Sequence, residues 1–322
     1  MQLPTELAAA IARETDRHNS SSLATAVAAI SERYHAQGSR STGRLSEAER
    51  AAYLAVRMPA IYGALRAVFV ELIARLPGKV LTMLDLGAGP GTAAWAAAAE
   101  IPDLSEIACL ERDGELIAVG RRLAAHSANT AVRNAVWSEA DLRTVAQLKP
   151  ADVVVLSYVA GEIEDSARLI ENAWSAARLA LVIIEPGTPR GFATIRAARD
   201  QLIRAHATIA APCPHARECP MKNPDWCHFA ARIERTRLHR QLKGGDLGYE
   251  DEKFSYVIAS RTPVRIAQSR IVRHPWTEPG LIRLELCTTE GLRTRAVRKR
   301  EKEQFRRARK AHWGGEWTDL TP

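Results

Sequence analysis

The apolar positions along the chain change rhythm twice. Up to about residue 76 they recur at helical spacing, with Leu7, Ile11, Leu23, Val27 and Ile30 set in an alanine-rich background. The strongest amphipathic stretch runs over residues 58–75, and residues 37–43 read as a loop by composition. From Lys79 onward, short apolar runs alternate with helical segments. Residues 80–86, 106–111, 135–137, 152–157 and 179–185 read as strands, and 92–100, 115–125 and 167–177 as helices. That alternation predicts a doubly wound parallel sheet covered on both faces. Residues 211–250 break the pattern with Pro212, Pro214, Pro220, Pro224 and a group of cysteines. Strand character returns at 254–260 and 281–287, and the chain closes in a basic, helix-like tail. No internal repeat is visible. The sequence thus divides into N-terminal helices (1–76), an α/β core (77–210), an irregular insertion (211–250), the final strands of the core sheet (251–290) and a tail (291–322).

The chain has 322 residues and is 46% hydrophobic, enough to bury a sizeable core. A net charge of +8 favours polyanionic partners, an argument about association and not about fold. The N-terminus lacks the basic and apolar regions of a secretory signal, and Glu6, Glu14 and Asp16 are unlike an acid-poor transit peptide. No apolar run reaches the roughly 18 residues of a membrane span. These features predict a cytoplasmic protein without a membrane partner. They assign no oligomeric state.

The strongest chemical signal is the turn Asp85-Leu86-Gly87-Ala88-Gly89-Pro90-Gly91, between a predicted strand and a predicted helix. Glycines permit a tight turn and close approach of a ligand, and the helix start adds free N–H groups. Glu111 ends the second strand, where a carboxylate can accept from ribose hydroxyls. Asp141 follows the third strand, where it could accept from an adenine amino group, and Ser157 ends the fourth. A dinucleotide loop competes. Asp85 directly before the glycines and Pro90 inside them look more like motif I of class I S-adenosylmethionine (SAM)-dependent methyltransferases. The candidate cofactor-binding residues are therefore Asp85, Gly87, Ala88, Gly89, Gly91, Glu111, Asp141 and Ser157.

Five cysteines are too odd a set for a disulfide framework. Cys213, Cys219 and Cys227 fall within fifteen residues, and Cys287 follows sixty residues later. Four thiolates can saturate either a cubane iron–sulfur cluster or a tetrahedral zinc ion. The spacing is wider than the paired knuckles usual for zinc. His215 and His228 are alternate ligands, less expected than the cysteines. Cys109 lies mid-strand and reads as a small core hydrophobe. A Pro-Cys nucleophile of the cytosine-C5 methyltransferase kind is disfavoured, because Pro212-Cys213 lies well past the fifth strand.

The segments at residues 84–96 (LDLGAGPGTAAWA), 182–192 (VIIEPGTPRGF), 211–229 and 250–256 (EDEKFSY), with a W-G-x-x-W ending, together resemble the mitochondrial ribosomal small-subunit methyltransferase-like family and its bacterial relatives. The resemblance covers roughly residues 45–317. It implies a class I methyltransferase fold, association with the small ribosomal subunit or its rRNA, and a [4Fe-4S] cluster on Cys213, Cys219, Cys227 and Cys287.

Two basic runs fit a phosphate surface. Residues 293–310 hold ten Arg or Lys against two Glu, and residues 232–243 form a second basic segment. Trp313 and Trp317 could stack on bases or anchor the tail. The loop after the fourth strand, residues 157–162, is not the (N/D)-P-P-Y motif of amino methylation. Glu162 could act as a base and Tyr158 could line a target pocket, but the sequence assigns no catalytic residue. Two readings remain open: an rRNA methyltransferase, or a non-catalytic assembly factor that binds SAM, cluster and rRNA.

Overall fold

Strands buried on both faces have no reason to alternate polar and apolar residues, and the central strands of this protein do not. In the computed structural model, which describes residues 1–35, 44–244 and 246–319, β4 (Ala151–Ser157) and β5 (Ala177–Pro186) are almost continuously apolar. Val153 and Val155 enter one core with Phe69, Trp95 and Ile184. Val154 and Leu156 enter the other with Ile183, Ile195 and Leu202. The helices that cover these faces are what make the parallel arrangement possible.

Five helical segments precede the sheet: α1 (Thr5–Thr15), α2 (Ser20–His35), α3 (Glu47–Ala52), a π-helical turn (Tyr53–Arg57) and α4 (Met58–Ile73). The predicted loop at 37–43 lies outside the described residues. Ser46 and Glu49 close a reciprocal capping box at the start of α3. The core then alternates β1 (Thr82–Leu86), α5 (Thr92–Glu100), β2 (Glu106–Glu111), α6 (Gly114–Ala124), the short α7 (Thr130–Arg133), β3 (Val136–Glu139), β4, α8 (Ser166–Ala176), β5, α9 (Pro189–Arg204) and β6 (Thr208–Ala211). After an irregular stretch come β7 (Phe229–Glu234), α10 (Arg237–Lys243) and the long β8 (Tyr249–Ser260).

The main sheet has the order β3-β2-β1-β4-β5-β8-β6, with β7 added alongside β8. β1 to β5 are parallel, and β8 is antiparallel to β5, β6 and β7. This reversed strand inserted between β5 and β6 is the sheet of a class I methyltransferase fold.

The C-terminal part departs from expectation. Only β8 continues the main sheet. β9 (Ser269–Ile271), β10 (Trp276–Glu278), β11 (Leu281–Thr288), β12 (Gly291–Arg298) and β13 (Glu316–Trp317) build a second, five-stranded sheet, with α11 (Lys302–Ala308) against it. The region expected to hold final core strands is thus split between two sheets. The first eight residues of the expected helical tail are β12, paired with β11 over eight residue pairs from Leu281–Arg298 to Thr288–Gly291. Ile282, Leu284, Leu286 and Val297 face Phe305 and Ala308, so a small separate core selects strand over helix.

Helix α4 packs on β7 and β8 with no room to spare at Gly63, where an added Cβ would lie 2.2 Å from Ile233 Cγ2. Gly63→Ala should therefore destabilise the fold by about 1–3 kcal/mol through overpacking. Urea unfolding should show a lower midpoint with an unchanged slope, and Ile233→Val should recover part of the loss in the double variant.

Candidate functional site

The C-terminal ends of β1, β2, β4 and β5 converge, as they must in an open parallel sheet, and they bring the predicted turn together with a set of carboxylates. Gly87 and Ala88 donate backbone N–H bonds to Leu110 O at 2.8 and 3.0 Å, which folds the turn onto β2. Gly87, Gly89 and Gly91 are all in the left-handed region. A Cβ on Gly87 would strike Val159, and one on Gly91 would strike Trp137. Gly89 faces nothing within 4 Å, so it is the residue whose Cβ direction is open.

Asp85 is fully buried, and neither carboxylate oxygen has a partner. Burial, and secondarily the charge of Glu111, push its carboxyl up to about 7. Glu111 is already engaged: Oε2 accepts from Gly89 N at 2.9 Å, and Oε1 from the N–H groups of Arg112 and Asp113 at 2.8 and 3.0 Å. The hydroxyls of Thr92, first in α5, and Ser157, last in β4, are buried without partners. Asp141 is more peripheral. It forms a two-pronged ion pair with Arg143, whose hydrogen bonds hold its carboxyl down at about 2.

The loop after β4 places Tyr158 and Glu162, which the sequence raised without assigning a role, beside Glu252 and Glu185, which sequence reasoning left aside. Tyr158 takes a left-handed backbone (φ 58), unusual for a bulky residue, and its hydroxyl donates to Glu252 at 3.0 Å. Arg57, from the π-helical turn, sits 3.5 Å from the same carboxylate. Glu185 is buried and accepts from Gly161 N at 3.2 Å. Burial raises it to about 7, with the Glu162 charge adding to the effect against the Gly161 bond. Glu162 is also raised, by burial first, with Glu111 opposing ionisation and Arg112 and Arg190 favouring it. Glu185 lay in a run that read simply as an apolar strand.

The four predicted cysteines line one cavity of about 40 Å³, together with His215, Arg199, Arg270, Phe229 and Tyr256. Three of them reach it from firmly held segments. Pro212 O, just before Cys213, accepts from Arg270 Nε at 3.1 Å. Cys227 O accepts from Ser255 Oγ at 2.8 Å, and Cys287 pairs across the second sheet with Arg270. Burial pushes the Cys213, Cys227 and Cys287 thiols up, Cys287 to about 12, and the neighbouring sulfurs add to the shift in each. Arg199 and Arg270 oppose it at Cys213. Among the described residues no three His, Cys, Asp or Glu side chains converge on a single ion. His215 lines the cavity, with Nε2 3.8 Å from Cys287 Sγ. His228 instead packs between Trp226 and Trp313. Cys109 is fully buried in β2, beside Asp85.

The expected second basic helix is largely neutralised. Glu250 gathers Arg235, His239 and Lys243, and Asp251 pairs with Arg232. Burial pushes Glu250 up, but the hydrogen bonds from His239 and Lys243 outweigh it and hold its carboxyl well below the usual range. Trp317 is buried and donates to Asp319 at 3.1 Å, and Trp313 contacts His228 and His274, so both serve as anchors.

Residues 47–318 match the family described as mitochondrial small ribosomal subunit Rsm22. The human ribosome assembly protein METTL17, mitochondrial, is 26% identical over 292 residues, which covers 84% of this chain and 62% of that protein. The Schizosaccharomyces pombe Rsm22-cox11 tandem protein 1, mitochondrial, is 24% identical, over 88% of this chain and 44% of its own length. The chain therefore spans less than two thirds of either relative. A solved structure of magnesium protoporphyrin IX methyltransferase from Synechocystis PCC 6803 with bound SAM aligns with a TM-score of 0.41 and 14% identity, over 74% of this chain and 97% of its own. The relatives are named as mitochondrial, which overturns the cytoplasmic assignment drawn from the N-terminal residues: three acidic side chains there do not decide the compartment. Among the described residues no helix is long and apolar enough to cross a membrane.

A carboxyl raised to about 7 in the fold, against about 3.9 in an unfolded chain, keeps its proton in the native state over the window where the unfolded state has lost it. Stability then falls as pH rises from about 4 to 7, by up to about 1.4 kcal/mol per pH unit from this group, and levels off above. Asp85→Asn removes that dependence. Chemical denaturation should show the variant gaining on the parent from pH 4 to 7 and holding a constant lead above 7.

Proposed function

The chain belongs to the Rsm22 family of mitochondrial small-ribosomal-subunit proteins, and from that membership we propose that it binds SAM and an iron–sulfur cluster and acts in assembly of the small ribosomal subunit through rRNA. The observation that carries the cofactor reading is the turn around Gly89. It offers an open approach at Gly89, a helix start whose N-cap has no side chain, and the unpartnered Asp85, Thr92 and Ser157 just beneath. A buried carboxylate without a donor is costly, and a cationic ligand would relieve it. SAM is such a ligand, and when bound it would supply an activated methyl group. Glu111 would exchange the Gly89 N–H for ribose hydroxyls and remain an acceptor throughout.

For the cysteines, four thiols lining one cavity could saturate a zinc ion or a cubane cluster, and the resemblance to the family favours the cluster. Cys213, Cys219, Cys227 and Cys287 would hold it. A bound cluster would tie the irregular loop to β11. For RNA, the side chains of Arg298, Lys299, Arg300, Arg306, Arg309 and Lys310 are exposed and take part in none of the ion pairs seen among the described residues.

An assembly role without methyl transfer is the second reading: in the loop after β4, Tyr158 is committed to Glu252 and Gly161 to Glu185, which leaves Glu162 as the base candidate there. Methyl transfer needs a base or pocket left free for the acceptor.

Calorimetry should show the full chain binding SAM, with tighter binding at pH 8 than at pH 6 as Asp85 ionises, and no heat with Gly89→Arg. Absence of heat for the parent would sink the cofactor reading. Incubation of immature small subunits with radiolabelled SAM separates enzyme from assembly factor, since incorporation lost in Gly89→Arg identifies the enzyme. Chemical footprinting on the same particles tests association directly, with protection of rRNA expected.

A further inference from the structure

We propose that Arg199 and His215 are the polar partners of the sulfurs in the cysteine cavity, Arg199 serving Cys213 and His215 serving Cys287, and that with Arg270 they offset the negative charge of a bound tetrathiolate cluster. The proposal rests on the iron–sulfur reading of the cavity and adds what surrounds it.

An arginine is almost never fully buried without a reason. Arg199 is 3% exposed and Arg270 1%, and both line this cavity, whose other walls include Phe192, Ile195, Met221 and Val272. Arg270 is well compensated, because Glu71 grips it through two hydrogen bonds of 3.1 and 2.9 Å. Arg199 is compensated on one side only. Its Nη1 pairs with Asp200 at 2.9 Å, a carboxylate that is half exposed, and its Nη2 donates to neutral carbonyls, His215 O at 2.9 Å and Arg217 O at 2.7 Å. Its Nε–H is buried with no acceptor at all. A neutral thiol is a poor acceptor, whereas a metal-bound thiolate is a good one. An orphaned N–H in the wall of a four-cysteine cavity is explained if the sulfur beside it carries charge.

His215 repeats the arrangement on the other side. It is buried, Nδ1 has no partner, and Nε2 lies 3.8 Å from Cys287 Sγ. With the proton on Nε2 it becomes a second N–H donor to sulfur. The two donors serve ligands from different parts of the fold, Cys213 on the irregular loop and Cys287 on β11. Hydrogen bonds to cluster sulfurs and nearby positive charge stabilise the reduced, more negative state and so raise the reduction potential.

The test uses the full chain purified anaerobically, with iron and acid-labile sulfide per chain measured first. Reductive titration followed by electron paramagnetic resonance then gives the midpoint. Arg199→Met should load the same iron and sulfide yet titrate at least 59 mV lower, a tenfold shift in a one-electron equilibrium. His215→Phe should move the midpoint in the same direction by less, and Arg199→Lys should retain part of the parent value. Should Arg199→Met fail to load, Arg199→Lys and His215→Phe carry the measurement. Loaded variants that all titrate at the parent midpoint overturn the proposal. A parent chain holding zinc or no metal overturns the cluster reading itself, a different result from an unmoved midpoint.

Discussion

One buried guanidinium joins three parts of the chain that lie far apart in sequence. Arg270 sits on β9 at 1% exposure and reaches Glu71 on α4, Pro212 O at the mouth of the cysteine loop and Gly314 O beside the last strand. Arg75 and Arg265 extend the network through Glu71 and Glu316. Removing one partner from such a set leaves a buried charge unpaired, at a cost of several kcal/mol. The pairing is therefore an all-or-none condition. The second sheet sits against the main fold with Cys287 facing the other cysteines, or the charge has no place to go.

Strand β8 does the equivalent work within the main sheet. Its segment Glu250–Tyr256 looked distinctive in sequence without an evident reason. Alternation along the strand supplies one. Glu250 collects the cations of α10 and Arg235, and Glu252 meets Tyr158 and Arg57 at the edge of the glycine-turn site. Phe254 and Tyr256 pack with Phe229, and Ser255 holds the Cys227 carbonyl. Four residues thus separate a group facing one candidate site from a group lining the other. The acidic triplet in that motif answers basic residues of the same chain, which removes Arg232, Arg235, His239 and Lys243 from the inventory of free phosphate contacts and leaves Arg237 and Arg240 exposed.

What the sequence showed plainly was local. The strand–turn–helix around Gly87 to Gly91 needs only neighbours in the chain, and the apolar runs of β4 and β5 declare burial on both faces. The cysteine spacing was equally visible. What it hid was non-local. The strand β12 carries four basic or polar residues in Leu292–Arg298 and becomes a strand because β11 lies beside it, not through its own propensity. The burial of Arg199 and Arg270 is a tertiary fact, invisible in residues that are usually solvated. Glu185 looked like the end of an apolar strand, and only the fold reveals that it faces Gly161 and Glu162.

The two candidate sites differ in how they treat charge, and this bears on what each is built to hold. At the glycine turn, Asp85 and Glu185 are both raised to about 7 by burial, with too few donors to balance them. That site is short of positive charge. The cysteine cavity differs: Glu71 answers Arg270, but the buried Arg199 Nε–H has no acceptor and the thiols are kept protonated by burial. It is short of an acceptor. A cationic nucleoside would complete the first, and a thiolate-ligated cluster would complete the second, so each site lacks what its proposed occupant would bring. A fold that needed neither would gain stability by replacing Asp85 and Arg199 with apolar residues of similar size. Their burial without full compensation is the physical reason for proposing an occupant at both sites, one that stands whether or not a methyl group is ever transferred.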